Sequence, residues 1–173
     1  LGHGYSLHVC DLRPKSRGAI TLNSNNPMDH ACITANYLSD ERDLDKMVKG
    51  VKAGMKILQA KAFDEYRGKT LMPDNELKTD DDIRRYVLDS AETIYHPVGT
   101  CKMGHDDMAV VNDRLQVHGV KGLRVVDASI MPTLIGGNTN APTMAIAEKA
   151  AHMILQDANQ SVSKKRTASL EPA

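Results

Sequence analysis

Alternating hydrophobic and polar positions open the chain and predict a small antiparallel sheet. Tyr5, Leu7 and Val9 alternate with polar residues over 5–12, as in a half-buried strand. Turn-forming residues follow, and short apolar segments lie beyond them at residues 19–22 and 31–37. The first third of the chain therefore predicts an antiparallel meander.

Helical periodicity replaces this alternation after residue 38. Apolar residues recur at three- and four-residue spacing over 44–58, and Ser39 or Asp40 is placed to cap this helix. A second amphipathic helix is predicted after Thr79, which begins a Thr-x-x-Asp capping box, and it should end near Thr93. Helices beside an antiparallel sheet predict an α+β fold.

The pattern changes again in the second half of the chain. Asn140 is placed to cap a last helix that reaches about Leu155, and its apolar residues cover more than one face, which predicts a mostly buried helix. The polar tail at residues 158–173 is predicted to be disordered. Three short apolar segments before this helix are predicted strands: Val110–Val111, Leu115–Val117 and Leu123–Val126.

Composition excludes several classes of protein. The 173 residues carry 22 Lys and Arg against 22 Asp and Glu, and a net charge of zero argues against binding to nucleic acid. Aromatic residues make up only 3% of the chain, which leaves little for a base-stacking platform. No apolar run approaches the roughly 18 residues of a membrane-spanning helix. We therefore expect no nucleic-acid partner and no transmembrane segment.

His96 is the histidine whose surroundings best suit chemistry. It is followed by Pro97, which fixes the next backbone angle, and then by Val-Gly-Thr. Such a rigid turn holds an imidazole in one orientation, as a general base requires, although spacing alone leaves a structural role equally open. Cys101 and His105 lie nearby, but zinc sites usually take paired ligands from two separate segments, so we predict no metal.

A second candidate lies where the last helix begins. Gly136 and Gly137 let the backbone approach another group closely. The helix that follows presents free N–H groups and partial positive charge at its N-terminus. An electron-rich ring edge or a developing anion would be stabilised there, but an ordinary capped helix behind a flexible loop explains the same pattern.

Four motifs follow one another in a fixed order: His96–Gly104, Leu123–Pro132, Gly137–Thr143 and Ile146–Ala151. Together with Arg13–Gly18 and Asn36–Ser39, they resemble the C-terminal part of the glucose-methanol-choline (GMC) oxidoreductases. The resemblance extends from about Gly4 to Leu155 and is strongest to the bacterial alcohol dehydrogenase and choline dehydrogenase branch. It implies a C-terminal fragment, in agreement with a first residue, Leu1, that is not Met.

The resemblance implies part of a two-domain fold. Residues 1–95 would form the C-terminal portion of the substrate-binding domain, with its antiparallel sheet flanked by helices. Residues 96–157 would return to the FAD-binding domain, with its closing strand at 123–126 and its last helix at 140–155. Because no G-x-G-x-x-G motif is present, FAD would be bound mainly by an N-terminal half of the same protein.

The resemblance also implies a chemistry and its residues. The expected reaction is FAD-dependent oxidation of a primary alcohol to an aldehyde, with hydride transfer to flavin N5. His96 matches the family's catalytic base, and Asn138 matches the second active-site position. Asp127 and Ala128 match the pair that contacts the flavin. Asn138 and Thr139 match the backbone that lies along the flavin ring.

Substrate and partners stay open at this point. Choline is an alternative substrate, although five Tyr and one Phe give no evident aromatic cage for a quaternary ammonium group. The electron acceptor would be a quinone, another respiratory-chain component or oxygen. A non-catalytic module that docks on a separate FAD-binding partner is an alternative of another class. We expect a cytoplasmic location, or a peripheral one at the inner membrane, with no signal peptide in this chain.

Overall fold

The computed structural model describes the backbone of residues 3–168 and the side chains of residues 3–160. The chain divides into two compact units between Tyr95 and His96. The first contains strands β1 (Ala19–Thr21) and β2 (Cys32–Thr34), helices α1 (Glu41–Leu58) and α2 (Asp80–Ser90), and the 3₁₀ helix Lys61–Phe63. The second contains the 3₁₀ helix Ala128–Ile130 and helix α3 (Asn140–Ala168). The predicted α+β class is confirmed.

The sheet of the first unit has two strands rather than three. β1 and β2 pair antiparallel, with Ile20 opposite Ile33, and both strands are exposed. The strand predicted over residues 5–12 is wrong, because this segment lies against a helix instead. A Cβ added to Gly50 of α1 would lie 2.4 Å from Cγ1 of Val9. The alternation of apolar and polar residues over 5–12 indicated an extended segment with one buried side. It could not indicate whether a strand or a helix packs against that side.

The two helices of the first unit form as the pattern predicts, and they pack together. Asp40 caps α1 by accepting a hydrogen bond from the N–H of Arg42, and Thr79 and Asp82 complete the capping box of α2. α2 ends at Ser90, three residues before the predicted end at Thr93. The core between the helices consists of Leu44, Val48, Ile83 and Val87.

A buried carboxylate joins α1 to the turn that precedes β1. Asp43 is 1% exposed, and its oxygens accept hydrogen bonds from the backbone N–H groups of Lys15 and Ser16 at 2.7–2.9 Å. The Ser16 hydroxyl donates a further bond at 2.7 Å, and the Lys46 ammonium lies 3.1 Å away. Burial alone would raise the pKa of Asp43, but the donors on Ser16 and Lys15 outweigh it and hold the pKa well below its usual range.

The second unit has an aliphatic core without extended strands. Its buried members are Val111, Leu115, Ile130, Ala150 and Met153. The three strands predicted before α3 are reduced to single bridges: Met103 with Val111, Val111 with Val117, and Gln116 with Arg124. Leu115 has a positive φ of 62°, which lies outside the β region, so the backbone does not continue as a strand through this residue.

Helix α3 differs from the prediction at both ends. It begins at Asn140 itself, so Thr139 rather than Asn140 precedes the first helical residue. It continues to Ala168, so residues 158–168 have a helical backbone where a disordered tail was predicted, and 169–173 lie outside the described residues. Over residues 3–168, no helix is both long and apolar enough to cross a bilayer.

One stripe of α3 is buried, so the prediction of a mostly buried helix is wrong for this chain. Ala150 and Met153 lie in the core, whereas Met144 and Leu155 are 56% and 64% exposed. Asp157 connects this helix to the preceding loop, because its carboxylate contacts the guanidinium groups of Arg124 and Arg114. Those hydrogen bonds, of which the one from Arg124 has the larger effect, hold the pKa of Asp157 below its usual value.

Candidate functional site

His96 is the first residue of the second unit, and its imidazole is half-buried. Its Nδ1 atom lies 3.0 Å from the Oγ1 atom of Thr139, a residue 43 positions further along the chain. A hydrogen bond at this distance fixes the orientation of the ring. In the part of the chain that the structure describes, Nε2 has no hydrogen-bond partner. One ring nitrogen is therefore engaged and the other is available.

The backbone after His96 is fixed by pairing with a second segment. The N–H of Cys101 donates to the carbonyl of Ser129 at 3.1 Å, and the N–H of Met103 donates to the carbonyl of Ile130 at 2.8 Å. Gly99 makes the turn between His96 and this pairing with φ of 94°, a conformation that L side chains rarely adopt. His96 therefore lies just before a segment whose backbone is held by hydrogen bonds.

The 3₁₀ helix Ala128–Ile130 is held from both sides. Asp127 caps it, because its carboxylate accepts hydrogen bonds from the Ser129 N–H at 2.8 Å and from the Ser129 hydroxyl at 2.5 Å. Ile130 is 4% exposed and anchors the turn in the core. Asp127 is exposed and Ala128 is half-buried, so Asp127 has both a local structural role and an accessible surface.

The loop before α3 presents free hydrogen-bonding groups. The carbonyl of Thr139 accepts from the N–H of Thr143 at 3.0 Å and from the Thr143 hydroxyl at 2.6 Å, which closes the first helical turn. Among the described residues, no group accepts a hydrogen bond from the N–H of Asn140 or of Ala141, as expected at a helix N-terminus. The exposed Asn138 side chain has no hydrogen-bond partner in the same range.

All five residues expected from the sequence lie in the second unit. His96 and Thr139 are in direct contact, and Asn138 is the neighbour of Thr139, with Cα atoms about 3.8 Å apart. Asp127 and Ala128 join them less directly, through the pairing between Ser129 and the segment after His96.

One contact of the candidate site was not predicted from the sequence. The resemblance implied a role for the backbone of Thr139, whereas its hydroxyl is the group that contacts His96. Nothing in the spacing signals a partnership across 43 residues. The segment containing Cys101 and His105 contributes no group of three or more possible metal ligands among the described residues.

Comparisons with known proteins extend over nearly the whole chain. A family model described as GMC oxidoreductase matches residues 14–147. The alcohol dehydrogenase [acceptor] of Pseudomonas putida is 51% identical over 156 residues, which cover 90% of this chain and 28% of that protein. The oxygen-dependent choline dehydrogenase of Escherichia coli O127:H6 is 46% identical over 152 residues, which cover 88% of this chain and 27% of that protein.

A solved structure agrees with these matches. An FAD-dependent oxidoreductase from Chaetomium thermophilum superimposes with a TM-score of 0.80 at 28% sequence identity. The match covers 86% of this chain and 26% of that one. The chain thus spans little more than a quarter of the length of the relatives that it matches.

Proposed function

Because the chain belongs to the GMC oxidoreductase family, we propose that it is the C-terminal part of an FAD-dependent enzyme that oxidises a primary alcohol to an aldehyde. The observation that carries this proposal is the half-buried imidazole of His96, fixed at Nδ1 and free at Nε2. A general base needs this combination of a fixed position and an available nitrogen.

The groups around His96 fit one part of FAD, the flavin ring. The two free N–H groups at the start of α3 are donors suited to the polar edge of such a ring. We propose that the backbone of Asn138 and Thr139 lies along the ring and that Asp127 and Ala128 contact the ring from the 3₁₀ helix. The pyrophosphate would be held outside this chain, in the N-terminal half of the protein, since this sequence has no Gly-rich phosphate loop.

Alcohol oxidation requires removal of a proton and of a hydride from the same CH–OH group. Bound FAD supplies the hydride acceptor, which no side chain can provide. Nε2 of His96 would take the hydroxyl proton, and the Asn138 amide would donate a hydrogen bond to the oxygen as negative charge develops on it. The aldehyde then leaves, and the proton on His96 is returned to solvent.

The composition of the second unit favours a small alcohol over choline. Residues 96–173 contain no Phe, Tyr or Trp, so this part of the chain cannot contribute to an aromatic cage around a quaternary ammonium group. The relative with 51% identity is named as an alcohol dehydrogenase, and the one with 46% as a choline dehydrogenase. Rates of flavin reduction by a primary alcohol and by choline, compared in one preparation, distinguish the two.

The rival proposal is a non-catalytic module that docks on a separate FAD-binding partner. Both proposals predict that the purified chain alone shows no flavin absorbance, because neither assigns the pyrophosphate to it. They differ in the complete FAD-loaded protein, where only the enzymatic proposal makes His96 necessary for flavin reduction.

The test is the variant His96→Ala in the complete FAD-loaded enzyme, with flavin reduction followed under anaerobic conditions after mixing with a primary alcohol. We expect the rate to fall by about 10²- to 10⁴-fold while FAD remains bound. His105→Ala is the matched control, because His105 is exposed and lies in the same unit. A normal rate in His96→Ala with full FAD occupancy would reject the assignment.

A further inference from the structure

Among the described residues, the side-chain hydroxyl that bonds to the His96 imidazole is that of Thr139. Oγ1 of Thr139 lies 3.0 Å from Nδ1, and no other described group bonds to this hydroxyl. The hydroxyl does not cap the first turn of α3, although Thr139 stands at the position where a threonine usually does so. The side chain is therefore directed towards the histidine.

Two arrangements of the hydrogen are compatible with this distance. If the hydroxyl donates to Nδ1, the neutral ring carries its proton on Nε2, and Nε2 cannot accept another. If Nδ1–H donates to the hydroxyl oxygen, Nε2 keeps its lone pair. A threonine hydroxyl can serve in either role, and the bond made by one ring nitrogen sets the state of the other.

We propose that Thr139 is a positioning residue for His96: its hydroxyl oxygen accepts the Nδ1–H, which orients the ring and leaves Nε2 unprotonated for the substrate. This inference rests on the proposed function, since it gives His96 the role of base. When Nε2 takes the substrate proton, the ring becomes an imidazolium and its Nδ1–H stays on the hydroxyl oxygen. That hydrogen bond is then charge-assisted and stronger, so it favours the state formed as the proton moves.

The anchor of Thr139 makes this arrangement rigid. Its carbonyl accepts two hydrogen bonds from Thr143, and Thr143 lies in the first turn of α3. Ala150 and Met153, further along the same helix, lie in the core of the second unit. The backbone of Thr139 is consequently tied to a helix whose side chains pack in the core of the unit.

The first readout is the tautomer of His96, measured by ¹⁵N NMR of the histidine ring in the chain itself. We expect the Nδ1–H tautomer in the unsubstituted chain and in Thr139→Ser, and a loss of that preference in Thr139→Val. Thr133→Val is the matched control, because Thr133 is an exposed threonine of the same unit and its hydroxyl forms no hydrogen bond with a described group. The Nε2–H tautomer in the unsubstituted chain, or no change in Thr139→Val, would overturn the proposal.

The second readout is flavin reduction in the complete FAD-loaded enzyme. Thr139→Val should lower the limiting rate by about tenfold to a hundredfold and leave the substrate concentration at half-maximal rate nearly unchanged, because the lost bond acts on the base and not on substrate binding. Thr139→Ser should restore the rate to within a few fold. If Thr139→Val alters both parameters equally and Thr139→Ser does not rescue, Thr139 is only structural.

The two measurements separate this inference from the proposed function. Suppose that the tautomer of His96 depends on Thr139 but that His96→Ala reduces flavin at the normal rate. That result would contradict the role of His96 as base and leave only the orientation of its ring by Thr139. If His96→Ala is slow but the tautomer of His96 is unchanged in Thr139→Val, the role of His96 as base is supported. The role of Thr139 as a positioning residue is then overturned.

Discussion

Oδ2 of Asp43 accepts two hydrogen bonds from a single residue, Ser16, one from its backbone N–H and one from its hydroxyl, each at 2.7 Å. The carboxylate is 1% exposed, so these donors replace the water that would otherwise solvate its charge. This contact joins the turn before β1 to the first turn of α1.

Asp43→Ala should therefore destabilise the chain strongly. It leaves the N–H groups of Lys15 and Ser16 without their acceptor, and we expect a loss of about 3 kcal/mol in the free energy of unfolding. Urea unfolding followed by circular dichroism measures it. Asp64→Ala is the control, because Asp64 forms only an exposed pair with Arg67 and should cost less than about 1 kcal/mol. Equal losses in the two variants would contradict the prediction.

The same carboxylate should make stability depend on pH in acid. The pKa of Asp43 is lower in the folded chain than in the unfolded one, so the unfolded state takes up protons first as pH falls. Its stabilisation is complete above the unfolded pKa of about 4 and is lost progressively below it, towards the lower folded pKa. The acid part of the stability profile should accordingly flatten in Asp43→Ala, measured by thermal unfolding between about pH 2 and 6.

A close approach at Gly50 predicts a change of sign between two backgrounds. An added Cβ would lie 2.4 Å from Cγ1 of Val9, a stiff β-branched side chain, so Gly50→Ala should cost about 1 kcal/mol despite the better helix propensity of alanine. In a Val9→Ala background the same substitution should stabilise by up to about 1 kcal/mol. The four variants form a double-mutant cycle measured by urea unfolding, and additivity would rule out the contact.

The capping box of α2 predicts a local effect. Thr79→Ala removes the hydroxyl that accepts from the N–H of Asp82 at 3.1 Å and should cost about 1 kcal/mol, whereas Thr79→Ser keeps it and should cost little. Thr70→Ala, at an exposed position outside the helices, is the control. Chemical denaturation compares the three, and a loss in Thr79→Ser as large as in Thr79→Ala would exclude capping as the cause.

Local signals were enough to predict the helices of the first unit. The capping residues Asp40 and Thr79 and the spacing of apolar residues act within a few positions, and the structure has both helices where these signals place them. The segment 5–12 was assigned wrongly for the opposite reason. Whether an extended segment becomes a strand depends on its partner, and here that partner is α1, about forty positions away.

The candidate site could not be predicted from the spacing of residues alone. Spacing left His96 and the loop before α3 as two separate possibilities, and only the family resemblance put them into one site. The structure adds what neither could supply, the hydroxyl of Thr139 at Nδ1 of His96, because a contact across 43 residues leaves no periodic signal. The strand expected over 115–117 is interrupted at its first residue by the positive φ of Leu115.

A substitution at Asn138 should affect activity and leave stability nearly unchanged. Its side chain is exposed and has no hydrogen-bond partner within residues 3–168, so Asn138→Ala should change the free energy of unfolding by less than about 0.5 kcal/mol. If its amide donates to the substrate oxygen as charge develops, the same variant should slow flavin reduction in the complete FAD-loaded enzyme by about 10²- to 10³-fold. Stopped-flow absorbance measures that rate, and the flavin spectrum confirms that FAD is retained.

Two further variants test the reason for that loss. Asn138→His keeps a donor at this position and should retain more of the rate than Asn138→Ala. Asn159→Ala removes an exposed amide on α3, outside the candidate site, and should change neither rate nor stability. A normal rate of flavin reduction in Asn138→Ala would remove Asn138 from the reaction, and it would leave His96, positioned by Thr139, to act in the chemical step.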